Sequence, residues 1–468
     1  MTAAADPRFG TSVRRIVPLA WPVLVGQVSV LGFATVDTVL VARHAREDLA
    51  ALAIGAAAYV TVFIGFMGAV LALAPIVGQL QGARRLADAG RQVHQAVWIA
   101  LGLAVVGSTV LLLPGPFLAL ARVPAEIEPK VRGYLAVLAF SLPASLLFTV
   151  YRAFNTAVSR PKAVMALQLG GLALKIPLSA AFVFGVPGLG LPAQGVVGCA
   201  AATLIAMWTQ AIAAWVVLRR DPFYAPYSLG GRPRGRLGLR LDAPDRRAIA
   251  AQLRLGVPLG LTIVIEVTGM TFMAFFIARL GVTAVAGHQI AANLVSLLFM
   301  IPLALGNATT TLVAQAIGAR DEVDARRLGW HGLALGVGTA LVVGCTVFAL
   351  RGAVVGLYTT DPAVQAAALA LVAWLVWFHL GDAAQTVASF TLRAWHVATV
   401  PLVIYALAIW GVGLGGGYVL AFDLLGLTPA PMRGAPGFWA AASFSLLLAA
   451  LLLVGLLLWL QRRRTATP

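Results

Sequence analysis

Apolar residues in this chain gather into long runs separated by short polar stretches. Twelve runs can be read, at about residues 16–42, 51–76, 93–119, 132–154, 163–185, 196–218, 255–279, 286–311, 328–350, 367–390, 398–420 and 438–461. A run of about 25 residues at about 1.5 Å each reaches about 37 Å, enough to cross a bilayer. The pattern predicts an all-α integral membrane protein of twelve transmembrane helices. The one long polar stretch, residues 219–254, divides the twelve into six and six. We therefore expect an N-terminal six-helix lobe over 1–218, a basic cytoplasmic linker over 219–254 and a C-terminal six-helix lobe over 255–468.

The halves repeat. LAPIVGQLQGARRLADAGR in the first matches TTTLVAQAIGARDEVDARR in the second at a constant offset of 236. Gln79 pairs with Gln315, Gly82 with Gly318, Arg84 with Arg320, Asp88 with Asp324 and Arg91 with Arg327. An even number of spans per half leaves the orientation unchanged, so the repeats are parallel, related by an axis along the membrane normal. Two pseudo-symmetric six-helix bundles facing a central cleft are the expected architecture, a pattern met mostly in transporters.

Lysines and arginines orient the spans. Twenty-five of them fall on the side that holds both termini and the 219–254 stretch, and eight on the other side. Both termini are thus expected in the cytoplasm. The net charge of +17 does not indicate nucleic-acid binding, because it is spread between apolar spans and not gathered in a soluble basic domain. Mean hydropathy of +0.91 and 11% charged residues agree with a membrane protein. Cys199 and Cys345 lie in apolar runs and suggest neither a disulfide nor a metal site. The first residues show no cleavable signal peptide, so the first span is expected to stay.

Three of the seventeen acids sit well inside spans: Asp37, Glu266 and Asp382. Each costs on the order of 3 kcal/mol at the centre of a membrane helix, so each should face a bundle interior or a wet cavity. A carboxyl buried without a partner becomes a proton acceptor near neutral pH. A cluster of carboxylate and amide oxygens would equally suit sodium. Structural ion pairing is the plainer reading of the set. Lys175, the only lysine inside a span, is a candidate partner for Asp37 or a tethered cation whose release belongs to coupling. His379 stands one turn before Asp382 and is either a pH-responsive partner or a polar core residue. Pro22, Pro75, Pro143, Pro177, Pro258 and Pro302 predict kinks. In GVGLGGG, Gly411 to Gly417, small residues at spacings of four predict close helix packing first and a hinge second. No nucleotide-binding loop, HExxH or GxSxG is present, so we expect no enzyme and no cofactor beyond a coupling ion, Na+ or H+.

At these residues the chain resembles the multidrug and toxic compound extrusion (MATE) family, and most of all its NorM branch. The likeness runs through VDTVLVAR around Asp37, GQLQGAR, VPLGLTIVIEVT around Glu266, AGHQIAAN, LFMIPLALGNATTTLVAQAIGA, and GDAAQTVASFTLRAW around Asp382. It implies a V-shaped pair of six-helix lobes and export of amphipathic, often cationic drugs or toxins in antiport with Na+ or H+. It further implies ion-coupling roles for Asp37, Glu266 and Asp382; Lys175 and His379 are candidate coupling modulators on the reading of the residues above, and Gln289 and Asn293 are candidate cavity-lining residues. A monomer in a bacterial inner membrane, in contact with lipid and not with nucleic acid, completes the expectation. Two departures stand out: Lys175 and Ser179 occupy positions where the family usually has asparagines, and Phe378-His379 stands where a tyrosine and glutamine are usual. A lipid-linked precursor flippase of the same architecture is the alternative, although acids inside the spans favour cationic cargo. A scaffold without transport is the third reading, disfavoured because the chain has no soluble domain.

Overall fold

The computed structural model describes residues 8–120, 123–229 and 241–465. Among them no strand forms beyond an isolated bridge between Val186 and Leu191. Eleven helices are long and apolar enough to cross a membrane: α1 (Phe9–His44), α2 (Arg46–Gly82), α3 (Leu86–Leu112), α4 (Glu128–Ala157), α5 (Pro161–Phe184), α6 (Gly195–Arg220), α7 (Arg246–Ala278), α8 (Val282–Gly318), α9 (Glu322–Ala349), α11 (Thr399–Ala421) and α12 (Ala435–Arg463). Between α9 and α11, Pro362–Val372 and Leu375–Ala394 meet at a 45° bend and together make the twelfth span, α10. This is the multi-pass architecture the apolar runs predict.

Local chemistry explains most boundaries. Helix α2 breaks at Ala72, where the ring of Pro75 collides with the carbonyl four residues back. Pro114 stops α3, and Pro161 opens α5 at the position where a missing N–H costs nothing. The repeat is visible in the backbone. Helices α3 and α9 begin at Leu86 and Glu322, and the short helices after them begin at Gly115 and Arg351, both pairs 236 residues apart. Arg84 and Arg320, also 236 apart, each adopt a left-handed backbone (φ 56° and 62°) just past the end of a helix. Asp88 is held by Arg85 and Arg91, and its counterpart Asp324 by Arg327 and by Arg15 at 2.9 Å.

The chain forms two compact units. One holds the described residues up to Leu24 and those from Leu261 onward; the other is Val25–Gly260. Helices α1 and α7 are each divided between them. In the first unit, Ile16 and Ala20 share a core with Leu305, Ala308, Leu453 and Leu457, while His331 bonds Ser12 at 2.7 Å. In the second, the start of α7 lies against α2. A Cβ on Gly256 would strike the backbone of Ala69, and one on Gly260 would come 2.7 Å from the Gly65 carbonyl oxygen. Only residues without side chains allow that approach.

Around the middle stretch the picture differs from a free linker. Residues 230–240 lie outside the described residues, but the flanks are strapped to the second unit. Tyr224 and Tyr227 are buried and donate 2.6 Å hydrogen bonds to Asn155 and Gln81. Asp242 lies 2.9 Å from His94, and the Asp245 amide donates to Gln95 at 2.8 Å. Aromatic packing, which a count of glycines, prolines and arginines does not register, accounts for the difference. Residues 246–254 are already helix.

Candidate functional site

In the Val25–Gly260 unit the site is built by α1, α5 and α6. Helices α1 and α5 come together over glycine: a Cβ on Gly26 would collide with Gln168, and one on Gly32 would press on Leu172 at 3.0 Å. That closeness carries Lys175 to Asp37. The lysine is wholly buried, and its ammonium lies 2.8 Å from Oδ1 of Asp37 and donates to Oδ2 at 2.9 Å. It also donates to Thr203 of α6 and sits 5.2 Å from the ring centroid of Phe33. The salt bridge weighed from sequence is therefore formed. Ser179, the other departure from the family pattern, is buried one turn away with its hydroxyl unpartnered.

In the unit that holds Leu261 onward, Glu266 of α7 and Asp382 of α10 are joined by a residue the sequence reading passed over, Gln385. Its amide nitrogen donates to Asp382 Oδ1 at 3.0 Å and reaches Glu266 Oε1 at 3.4 Å. The Gln385 amide oxygen is buried without a partner. Ser389 and Arg393 continue the same face of α10. Ser389 faces the Tyr405 hydroxyl, and the Arg393 guanidinium interacts with Glu266 and Tyr405 while lying 3.9 Å over the Phe390 ring. Two carboxylates bridged by an amide N–H can hold a proton or a single hard cation.

The other three candidates join neither acid site. His379 is buried with both ring nitrogens unpartnered and packs near Gly344 of α9, so it does not form the pair with Asp382. Asp382 takes Gln385 instead. Gln289 and Asn293 lie on the exposed face of α8, and Asn293 accepts a 2.8 Å bond from Tyr358. No hydrogen bond among the described residues joins either to the acid cluster. Arg152 within α4 and Arg393 in the last turn of α10, counted from sequence among the cytoplasmic arginines, turn inward, Arg152 to Gln27 and Met67. The same described residues hold no group of three metal-ligating side chains.

Comparison with known proteins can now be set beside this geometry. The MatE family model matches residues 22–181 and again 258–419, once in each repeat. The chain belongs to the MatE family. Within it, the NorM branch is indicated by the named relatives. The chain is 40% identical to the "Probable multidrug resistance protein NorM" of Aromatoleum aromaticum, over 97% of this chain and 95% of that one. It is 32% identical to "Multidrug resistance protein PmpM" of Pseudomonas aeruginosa, over 91% and 88%. Among solved structures, the fold matches the eukaryotic MATE transporter AtDTX14 with a TM-score of 0.83 at 19% identity, covering 98% of this chain and 99% of that one. In this MatE chain both repeats place a carboxylate and a basic residue inside the bundle. Among the described residues, the second adds a bridging amide, Gln385.

Proposed function

We propose that this protein is a secondary multidrug exporter that expels amphipathic, cationic compounds in exchange for Na+ or H+. The observation that carries the reading is the Glu266–Gln385–Asp382 cluster, two carboxylates sharing one amide within membrane-spanning helices. Acids in such positions mark ion pathways. The cluster works as a charge exchanger. With the ion bound it is neutral and has no attraction for a cationic drug. When the ion leaves, the carboxylates repel one another; Arg393 and the Gln385 N–H groups relieve part of that repulsion, and a second cation relieves the rest. The drug supplies that cation, so drug and ion bind in competition, and alternating access converts competition into antiport.

The arginine and lysine asymmetry supports both termini in the cytoplasm, and the bacterial relatives support a location in an inner membrane. The relatives' names, multidrug resistance proteins, support cargo of mixed structure handled by a single chain. The test is efflux of a fluorescent cationic dye from proteoliposomes, with sodium and proton gradients imposed separately. One gradient is expected to drive dye movement and thereby name the ion. Absence of movement with either gradient, in folded protein, would overturn the reading and favour the lipid-linked precursor flippase.

A further inference from the structure

Resting on the ion-exchange reading, the two acid sites differ in a way that bears on how many ions are exchanged. In the second-half cluster an amide oxygen is open and no lysine is seated. At Asp37 both carboxylate oxygens already face a cation, although Oδ1 makes no hydrogen bond. The Lys175 ammonium contacts both carboxylate oxygens, at 2.8 and 2.9 Å, and Cys199 of α6 reaches the same carboxyl. Thr203 and the Phe33 face complete the shell around the ammonium, Tyr134 of α4 lies within electrostatic range of Asp37, and Lys175 has no exposed surface.

We propose that Lys175 is a resident cation that occupies the place at Asp37 a mobile ion would otherwise take, so that exchange runs on the second-half cluster alone, with one monovalent ion per cycle. Two physical points lead there. Sodium bound at Asp37 needs the oxygens the ammonium already holds. A proton taken by Asp37 would leave the ammonium buried and unpaired, which is the most costly way to disturb a buried ion pair. In the second half Glu266 and Asp382 carry two charges, and Arg393, interacting with Glu266, offsets one. A single monovalent cation neutralises what remains. In the first half Arg152 is turned to Gln27 and Met67, leaving Lys175 to serve Asp37.

The number of ions per dye is measurable at flux reversal. Proteoliposomes holding the full chain are given a fixed gradient of the driving ion with membrane potential clamped. The dye ratio at which net flux vanishes then yields the stoichiometry, whatever the turnover rate. Wild type is expected to give one ion per dye. Lys175→Asn, which frees the carboxylate and adds an amide oxygen, is expected to give two. The double variant Lys175→Met with Asp37→Asn removes both charges, a change buried pairs tolerate in fold, and is expected to return to one. Two ions in wild type, one ion in folded Lys175→Asn, or loss of ion coupling in the folded double variant would each overturn the proposal. If wild type moves no dye, the exporter reading fails separately. The resident cation is then decided by ion titration of the purified protein, followed by tryptophan fluorescence. A second saturating step in Lys175→Asn alone supports it, and curves identical to wild type overturn it.

Discussion

Gln385 stands one turn from Asp382, and its amide is the hinge of the second-half cluster. Its N–H groups stabilise the ionised carboxylates, that is, the ion-free state. Removing them should therefore tighten the hold on the coupling ion. Hydrogen bonds to charged acceptors contribute about 1.5–3 kcal/mol, so Gln385→Leu is expected to lower the half-saturating ion concentration for dye efflux roughly tenfold to hundredfold, with slower turnover. An unchanged half-saturation would contradict the bridging role. At this scale the acids were legible in the sequence because a carboxylate in an apolar run is conspicuous, and Lys175 likewise. Gln385 was not, since a neutral amide one turn from an acid has no charge to draw notice. Arg393 was legible but misplaced. A count of positive charges assigns an arginine near a helix end to the cytoplasm, whereas ring stacking on Phe390 and attraction to Glu266 turn it inward.

Among the elements, the crossing of α7 over α2 is the most constrained. Gly256 and Gly260 meet Gly65, Gly68 and Ala69 with no room for a methyl group. Gly260→Leu is expected to cost about 1–3 kcal/mol or more, as overpacked cores do, and to lower the thermal midpoint of the purified protein. Gly338 in α9 has open space where a Cβ would sit, so Gly338→Ala should leave the midpoint unchanged or raise it. Equal losses at both positions would show that the crossing has no special tightness. In α11, Gly413 faces Ser445 and Gly417 faces Phe438 of α12, the close packing expected from GVGLGGG. The surrounding Ala406–Gly415 stretch is π-helical, and Trp410 there donates to the Ile265 carbonyl, the residue before Glu266. Apolar runs located every span, yet most of their ends fell short of the helix ends, while the run 93–119 overran α3, which stops at Leu112 before Pro114. Hydropathy reports the thickness of the bilayer, while α1 from Phe9 and α7 from Arg246 continue beyond it.

For the molecule as a whole, the 236-residue repeat was readable because the GQLQGAR-type turns keep both their residues and their left-handed arginine. The division of α1 and α7 between units was not readable, since it depends on which helix each segment packs against and not on hydropathy. The excess of lysine and arginine on one side predicts the orientation. A green fluorescent protein fused to the C-terminus should fluoresce, and alkaline phosphatase fused there should be inactive; the opposite pair of results would invert the topology. Coupling turns on the second-half cluster. Its most direct test is ion-gradient-driven dye efflux by Glu266→Gln and Asp382→Asn in proteoliposomes, beside wild type and with folding checked by thermal midpoint. Each substitution is predicted to reduce gradient-driven efflux to the protein-free background. Wild-type efflux by either folded variant would contradict the account.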